Sequence, residues 1–177
     1  KTAREIGLPL VPGSMGKIND YIHAKTEAKD IGYPIILKAA AGGGGKGMKV
    51  VLNESELEHS FNIAKNEAKS FFGDDKIYIE RYLKNPRHIE VQVLSDSFGN
   101  TIHLGERECS IQRRHQKLFE ETPSPALSQK ERDFIGQISS KAINKLGYLG
   151  LGTIEYLYED NSFYFIEMNT RLQVEHP

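Results

Sequence analysis

Apolar residues recur at two different periods along this chain, and the switches between them predict its elements. Between Asp20 and Ile31 they follow helical spacing, and Gly32, with Pro34 beyond it, supplies a stop. Ile35 to Lys38 is a short apolar strand that runs into Gly42-Gly43-Gly44-Gly45-Lys46-Gly47, and Met48 to Leu52 is the returning strand. Asn53 or Ser55 can cap a long amphipathic helix with Leu57, Phe61, Ala64 and Ala68 on one face, ending near Phe72-Gly73. Ile77 to Tyr82 is a third strand. Strand, glycine loop, strand, helix and strand together make a small α/β unit from about Leu10 to Tyr82.

A second unit opens with His88 to Ser95, where Ile89, Val91 and Val93 alternate with Glu90 and Gln92 as in a half-buried strand. Asp96 to Asn100 turns it back into Thr101 to Leu104. Ser128 to Leu146 reads as a helix with Phe134, Ile138, Ala142 and Ile143 on one stripe, stopped by Gly147. Gly152 to Tyr158 and Phe163 to Met168 form an antiparallel hairpin across the polar turn Glu159-Asp160-Asn161-Ser162. Ahead of both units, Thr2 to Gly7 resembles the end of a helix, and the two prolines of Leu8 to Gly13 cannot continue it, which marks a hinge or linker.

Composition narrows the classes. A chain of 177 residues with 38% hydrophobic content can bury one substantial core or two small ones. Its 23 basic and 24 acidic residues leave a net charge of -1, so no overall field draws it to nucleic acid or to an anionic membrane, and phosphate binding must be local. One cysteine, Cys109, excludes an internal disulfide and a zinc site of several thiolates, in keeping with a reducing, cytoplasmic setting. No apolar run approaches the roughly 20 residues that span a bilayer, and none is flanked like a signal peptide. A start at Lys1 and a stop directly after a dense motif are expected of a piece of a longer protein.

Three stretches carry chemistry. Lys38 and Lys46 flank or enter the glycine loop, so that backbone N–H groups and two ammonium charges can surround a phosphate chain. The loop is not a Walker A motif, since Gly47 and Met48 follow Lys46, and a flexible hairpin tip is the plain alternative. Glu155 and Glu167 lie on the two strands of the last hairpin with Asn169 two residues on, a set of oxygens suited to Mg²⁺; two solvated strand carboxylates are the bland reading. Asn169 to His176 then packs Arg171, Gln173, Glu175 and His176 into eight residues, where Arg171 can grip a small planar anion and Glu175 can take its proton, unless the two are a surface pair. Ser110 to Lys117 is a further dense polar segment; it lacks the aromatics and the wide basic face of a nucleic-acid binder. Cys109 reads as structural, and His88 by default as a strand-start histidine.

Lys38-Ala39 with its glycines and Lys46-Gly47-Met48, then Asn85 to Glu90, Glu106 to Lys117 and Phe163 to Pro177, resemble in order and spacing the biotin carboxylases of biotin-dependent carboxylases. The resemblance spans nearly the whole chain. It implies an α+β ATP-grasp fold, with a linker at 1–9, a small α/β lid at 10–82 and, at 83–177, the first part of a larger antiparallel-sheet domain. It also implies roles. Lys38 would bind ATP phosphates, Gly44 and Gly45 would close over them, and Met48 and Leu157 would sandwich adenine, with Glu80, Arg81, Tyr82 and Leu83 at its edge. His88, Gln112 and His115 would contact the nucleotide further along. Glu155, Glu167 and Asn169 would hold Mg²⁺ or Mn²⁺. Lys117, Arg171, Gln173 and Val174 would position bicarbonate, and Glu175 would act as base.

Ala41, where many relatives have glycine, and Lys46, where arginine is also common, depart from the pattern without endangering ATP binding. The resemblance further implies carboxylation of biotin on a carrier protein, carboxyltransferase partners and a homodimer of the full-length protein. Acetyl-CoA carboxylase is the first expectation. Propionyl-CoA, methylcrotonyl-CoA and pyruvate carboxylases share the motifs, and a eukaryotic member of these would sit in the mitochondrial matrix. A carbamoyl-phosphate synthetase half, or a nucleotide-binding module without turnover, are the rival readings; the run Arg171 to Pro177 favours the biotin-dependent group.

Overall fold

A computed structural model describes residues 2–42, 47–113 and 116–174. The chain divides into two compact units, Val11–Lys84 and a larger one made of Lys1–Leu10 with Asn85–Pro177.

The smaller unit is a three-stranded antiparallel sheet of order β2-β1-β3, from β1 (Ile35–Ala39), β2 (Met48–Val51) and β3 (Ile77–Arg81). Strand alternation sends Ile35, Leu37 and Ala39 of β1 to one face, where α2 (Tyr21–Ile31) and α3 (Glu54–Phe72) cover them. The α3 stripe of Leu57, Phe61, Ala64 and Ala68 is buried as its spacing requires, and Gly73 ends the helix at φ 73°, a left-handed value that suits glycine. Asp20 caps α2 by accepting from the His23 N–H at 2.9 Å.

The larger unit is a five-stranded antiparallel sheet of order β6-β5-β4-β7-β8. Its strands are β4 (Arg87–Ser95), β5 (Thr101–Arg113), β6 (Gln116–Glu121), β7 (Gly150–Glu159) and β8 (Ser162–Asn169). Helix α4 (Gln129–Leu146) packs across one face, started by a reciprocal capping box between Ser128 and Glu131 and ended at Gly147. Residues 1–10 cluster with this unit: α1 (Thr2–Ile6) lies against α4, with Ala3 and Ile6 on the core and the Lys145 ammonium donating to Glu5 O at 2.6 Å. The β7–β8 turn places both Asp160 and Asn161 at positive φ, the geometry of a tight hairpin between twisted strands.

Three expectations are corrected here. Strand β4 is not half-buried: Glu90 and Gln92 are as inaccessible as Ile89, Val91 and Val93, because β4 lies at the centre of the sheet and its second face is covered too. Strand β5 runs on past Leu104 to Arg113 and pairs with β6, so residues 110–113 and 116–117 of the polar stretch are strand residues. On α4, Phe134 is exposed; the buried stripe is Ile135, Ser139, Ala142 and Ile143, one position further round the helix.

Candidate active site on the polar face of the large sheet

Period two along β4 turns Ile89, Val91 and Val93 toward α4 and therefore turns His88, Glu90 and Gln92 to the opposite face. The strand register then aligns one charged residue from each of four neighbouring strands: Arg107 opposite Glu90, Glu90 opposite Glu155, and Glu155 opposite Glu167. Three carboxylates side by side repel one another, and the pairs across the sheet are close enough for this to matter. The surrounding cations answer it.

Arg107 donates to Glu90 Oε2 through Nε at 3.0 Å and Nη2 at 2.7 Å, and the Lys117 ammonium pairs with the other oxygen of Glu90. Lys117 Nζ also lies 3.8 Å from Glu155 Oε1 and donates to Gln173 Oε1 at 3.1 Å. Glu155 Oε2 is 2.8 Å from His88 Nε2, and Gln112 Nε2 lies 2.8 Å from His88 Nδ1. Because the amide nitrogen donates, Nδ1 is the acceptor, and the ring proton sits on Nε2 facing Glu155. Burial pushes the Glu155 carboxyl up, but His88, Lys117 and Gln173 outweigh it and hold the group below the usual carboxylate range. Burial likewise opposes the charge on Lys117, and Glu90 and Glu155 together raise it above an ordinary lysine.

Asn169 Nδ2 donates to Glu155 Oε1 at 2.5 Å, which leaves the Asn169 carbonyl oxygen for another partner. Glu167 is exposed at the rim of the same row. Glu155, Glu167 and Asn169 thus offer oxygens only, the donor set that Mg²⁺ prefers, and the residues fit such an ion. His88, Glu90 and Glu155 also place ligand atoms within 4.8 Å of one another. Arg107 and Lys117 already neutralise Glu90, so a second cation is less well accommodated there.

Of the other residues singled out from sequence, Gln173 is buried within this network while Arg171 and Val174 are exposed beside it. Arg171 Nη1 donates to Leu172 O at 3.3 Å. Leu157 pairs with His88 across β7 and β4. In the smaller unit, Lys38 and Met48 are cross-strand partners, and the Lys38 ammonium pairs with Glu80 Oε2 at 2.5 Å. The N–H groups of Arg81 and Tyr82 donate to Pro12 O and Pro34 O, so these two positions have spent their backbone donors inside the unit. Leu83 is buried. Gly44, Gly45, Lys46, His115 and Glu175 lie outside the described residues. Cys109 is buried, and desolvation with Glu90 and Glu120 nearby pushes its thiol far up, which suits a structural residue.

Arg107, Gln92 and Thr153 belong to the network and escape sequence reasoning. Gln92 donates to Gly152 O at 2.7 Å and accepts from Thr153 Oγ1 at 2.9 Å. A Glu and a Gln between aliphatic residues look like the wet side of an edge strand; only a central position for β4 would have flagged them.

Residues 1–177 match the family described as carbamoyl-phosphate synthase L chain, ATP binding domain. The chain belongs to that family. Within it, the chain is 54% identical to a biotin carboxylase of Haemophilus influenzae, over all of this chain and 40% of the relative. Its fold matches a biotin carboxylase–beta-gamma-ATP complex from Campylobacter jejuni, with a TM-score of 0.86 and 56% identity over 99% of this chain and 40% of that one. It also matches the biotin carboxylase domain dimer of Hydrogenobacter thermophilus 2-oxoglutarate carboxylase in complex with MgADP, ADP and bicarbonate. That TM-score is 0.85, with 50% identity over 99% of this chain and 39% of that one. The chain thus spans about 40% of the length of the relatives it matches. This ATP-binding domain has the mixed α/β build with antiparallel sheets expected of an ATP-grasp fold.

Proposed function

We propose that this chain is the ATP-binding part of a biotin carboxylase, an ATP-dependent ligase that carboxylates biotin on a carrier protein by way of carboxyphosphate. What supports the reading most is the buried row of Arg107, Glu90 and Glu155, continued by the exposed Glu167 at its rim, with Lys117 and Gln173 against it. A charged face this dry is costly to assemble for stability alone, and paired buried ions are often worth no more than an apolar packing. Charges fixed in advance are, however, what a site needs to stabilise a developing phosphoryl or carboxylate charge.

In this reading Glu155, Glu167 and Asn169 hold Mg²⁺ or Mn²⁺, which when bound neutralises charge on the phosphates. Lys38, with Gly44 and Gly45, binds the phosphates, and Met48, Leu157 and the stretch Glu80 to Leu83 bind adenine. His88, Gln112 and His115 contact the remainder of the nucleotide. Lys117, Arg171, Gln173 and Val174 hold bicarbonate, and Glu175 removes its proton. Residues 10–82 act as the lid and 83–177 as the start of the larger domain. The full-length protein is a cytoplasmic homodimer that works with a biotin carboxyl carrier and a carboxyltransferase. Acetyl-CoA is the final acceptor we favour, from the likeness to the stand-alone biotin carboxylases.

The test is ATP hydrolysis by the full-length protein. ADP release that requires bicarbonate, and that rises with free biotin, is the expected result. Hydrolysis indifferent to bicarbonate, or carbamoyl phosphate formed from ammonia, overturns the proposal.

A further inference from the structure

The stretch Thr170–Val174 is exposed at every position except Gln173, which is 1% exposed. One buried amide therefore docks this stretch on the sheet. Its oxygen accepts from Arg107 Nη2 at 2.7 Å and from Lys117 Nζ at 3.1 Å, which turns its nitrogen toward Glu155 Oε1, 3.4 Å away. Lys117 reaches it from β6 on a long, partly exposed stem. Arg107 is different: it is buried, and its planar fork is gripped on the other edge by Glu90. Gln92, itself fixed by Thr153 and Gly152, places Oε1 3.5 Å from Arg107 Nη1.

We propose that Arg107 is a positioning residue whose rigid fork anchors the stretch from Thr170 to Val174 through Gln173. This rests on reading Arg171, Gln173 and Val174 as the bicarbonate-binding stretch. Arg107 touches no reactant in this account. It sets where the Gln173 amide points and where the exposed Arg171 guanidinium can be presented. A lysine at 107 would keep the charge beside Glu90, but its single ammonium cannot span Glu90 and Gln173 as the planar fork does.

Two measurements on the full-length protein test this. In Arg107→Lys, kcat/KM for bicarbonate should fall about 10–100-fold, as for other residues that orient ligands, while KM for ATP stays within about twofold. Gln173→Met, with Arg107 intact, should give the same loss, and the double variant should lose little more than either single one. A bicarbonate kcat/KM like the wild type in Arg107→Lys, or losses that multiply in the double variant, overturns the proposal. The second readout is independent of activity: trypsin cleavage after the exposed Arg171 should speed up on the order of 10-fold in Arg107→Lys, because the anchored stretch opens more often. An unchanged cleavage rate overturns the anchoring. If cleavage accelerates but the wild type shows no bicarbonate-dependent hydrolysis, the anchor stands and the biotin carboxylase reading falls.

Discussion

The two faces of strand β4 are equally dry and chemically opposite. Ile89, Val91 and Val93 on one side, and Glu90 and Gln92 on the other, are all fully inaccessible. The aliphatic face packs on α4 with Ile135, Ala142, Ile143, Ile154 and Tyr156, and each such side chain contributes roughly 1.5–3 kcal/mol by leaving water. The other face gains no such term. Its charges lose hydration and recover it only through specific partners, so its stability depends on every partner being present. One face tolerates approximate packing. The other tolerates no missing atom.

Neighbouring residues on β4 make that contrast measurable. Glu90→Leu removes the carboxylate that answers both Arg107 and Lys117 and leaves Lys117 only Glu155 at 3.8 Å and Arg107 only Glu120 at 3.7 Å as carboxylate neighbours among the described residues. We expect a loss of about 3–5 kcal/mol in chemical denaturation of the full-length protein, the cost of orphaning a buried charge. A loss under about 1 kcal/mol would mean that water reaches this face and that the two sides of β4 are not equally dry. Ile89→Ala, one residue away, should cost somewhat less, about 2–4 kcal/mol from lost transfer energy and the cavity left behind. Its turnover per folded molecule should stay within about twofold of wild type, because Ile89 faces the helix. A specific fall in kcat would show that the two faces are coupled.

The apolar face was legible in the sequence almost residue by residue. The spacing of Leu57, Phe61, Ala64 and Ala68, the alternation of Ile89, Val91 and Val93, and the stops at Gly73 and Gly147 all act locally, and local patterns survive folding. Phe134 differs from the expectation because two neighbouring helical stripes differ by one residue, and only contact with β5 and β4 decides between them. On the polar face, types and spacing exposed Glu155, Glu167, Asn169, Arg171 and Gln173, since these crowd one hairpin and the stretch after it. Arg107 and Glu90 were not legible as partners. They stand 17 residues apart on different strands, and their alignment depends on a register that has an irregularity between Val91 and Val93. Burial of Glu90 depends in turn on β5 and β7 flanking β4, a fact of topology.

Glu167 probes the rim of the charged row. It is exposed, so Glu167→Gln should alter stability by no more than about 0.5 kcal/mol, in contrast to Glu90 in the same row. As a proposed metal ligand it should nevertheless lower ATP turnover on the order of 10²-fold, about 2.7 kcal/mol of barrier, in the full-length enzyme at ordinary Mg²⁺. Turnover that survives would remove Glu167 from the metal set and leave Glu155 and Asn169 to be explained as structure.

The smallest effect concerns the margin where the aliphatic face gives way to polar groups. Glu108 lies opposite Ile89 on β5 and is buried on the α4 side, where it accepts from Ser124 Oγ at 2.6 Å, Arg87 Nη1 at 2.7 Å and Ser110 Oγ at 2.9 Å. Burial raises its pKa, and these three donors more than offset it, so the carboxyl is held below its ordinary value. A carboxyl that is more acidic when folded stabilises the fold fully above its unfolded pKa of about 4.3. That contribution is lost as the pH falls through the lower, folded value, because the unfolded chain binds the proton first. Glu108→Gln keeps an oxygen for the serine hydroxyls and removes the titrating group. The unfolding free energy of the variant should therefore fall less steeply between about pH 5 and about pH 3 than that of the wild type. At neutral pH the cost should be modest, since Arg87 is half exposed and water covers the charge it leaves. Superimposable acid slopes would show that Glu108 carries no proton linkage, and that this margin behaves as the aliphatic face does.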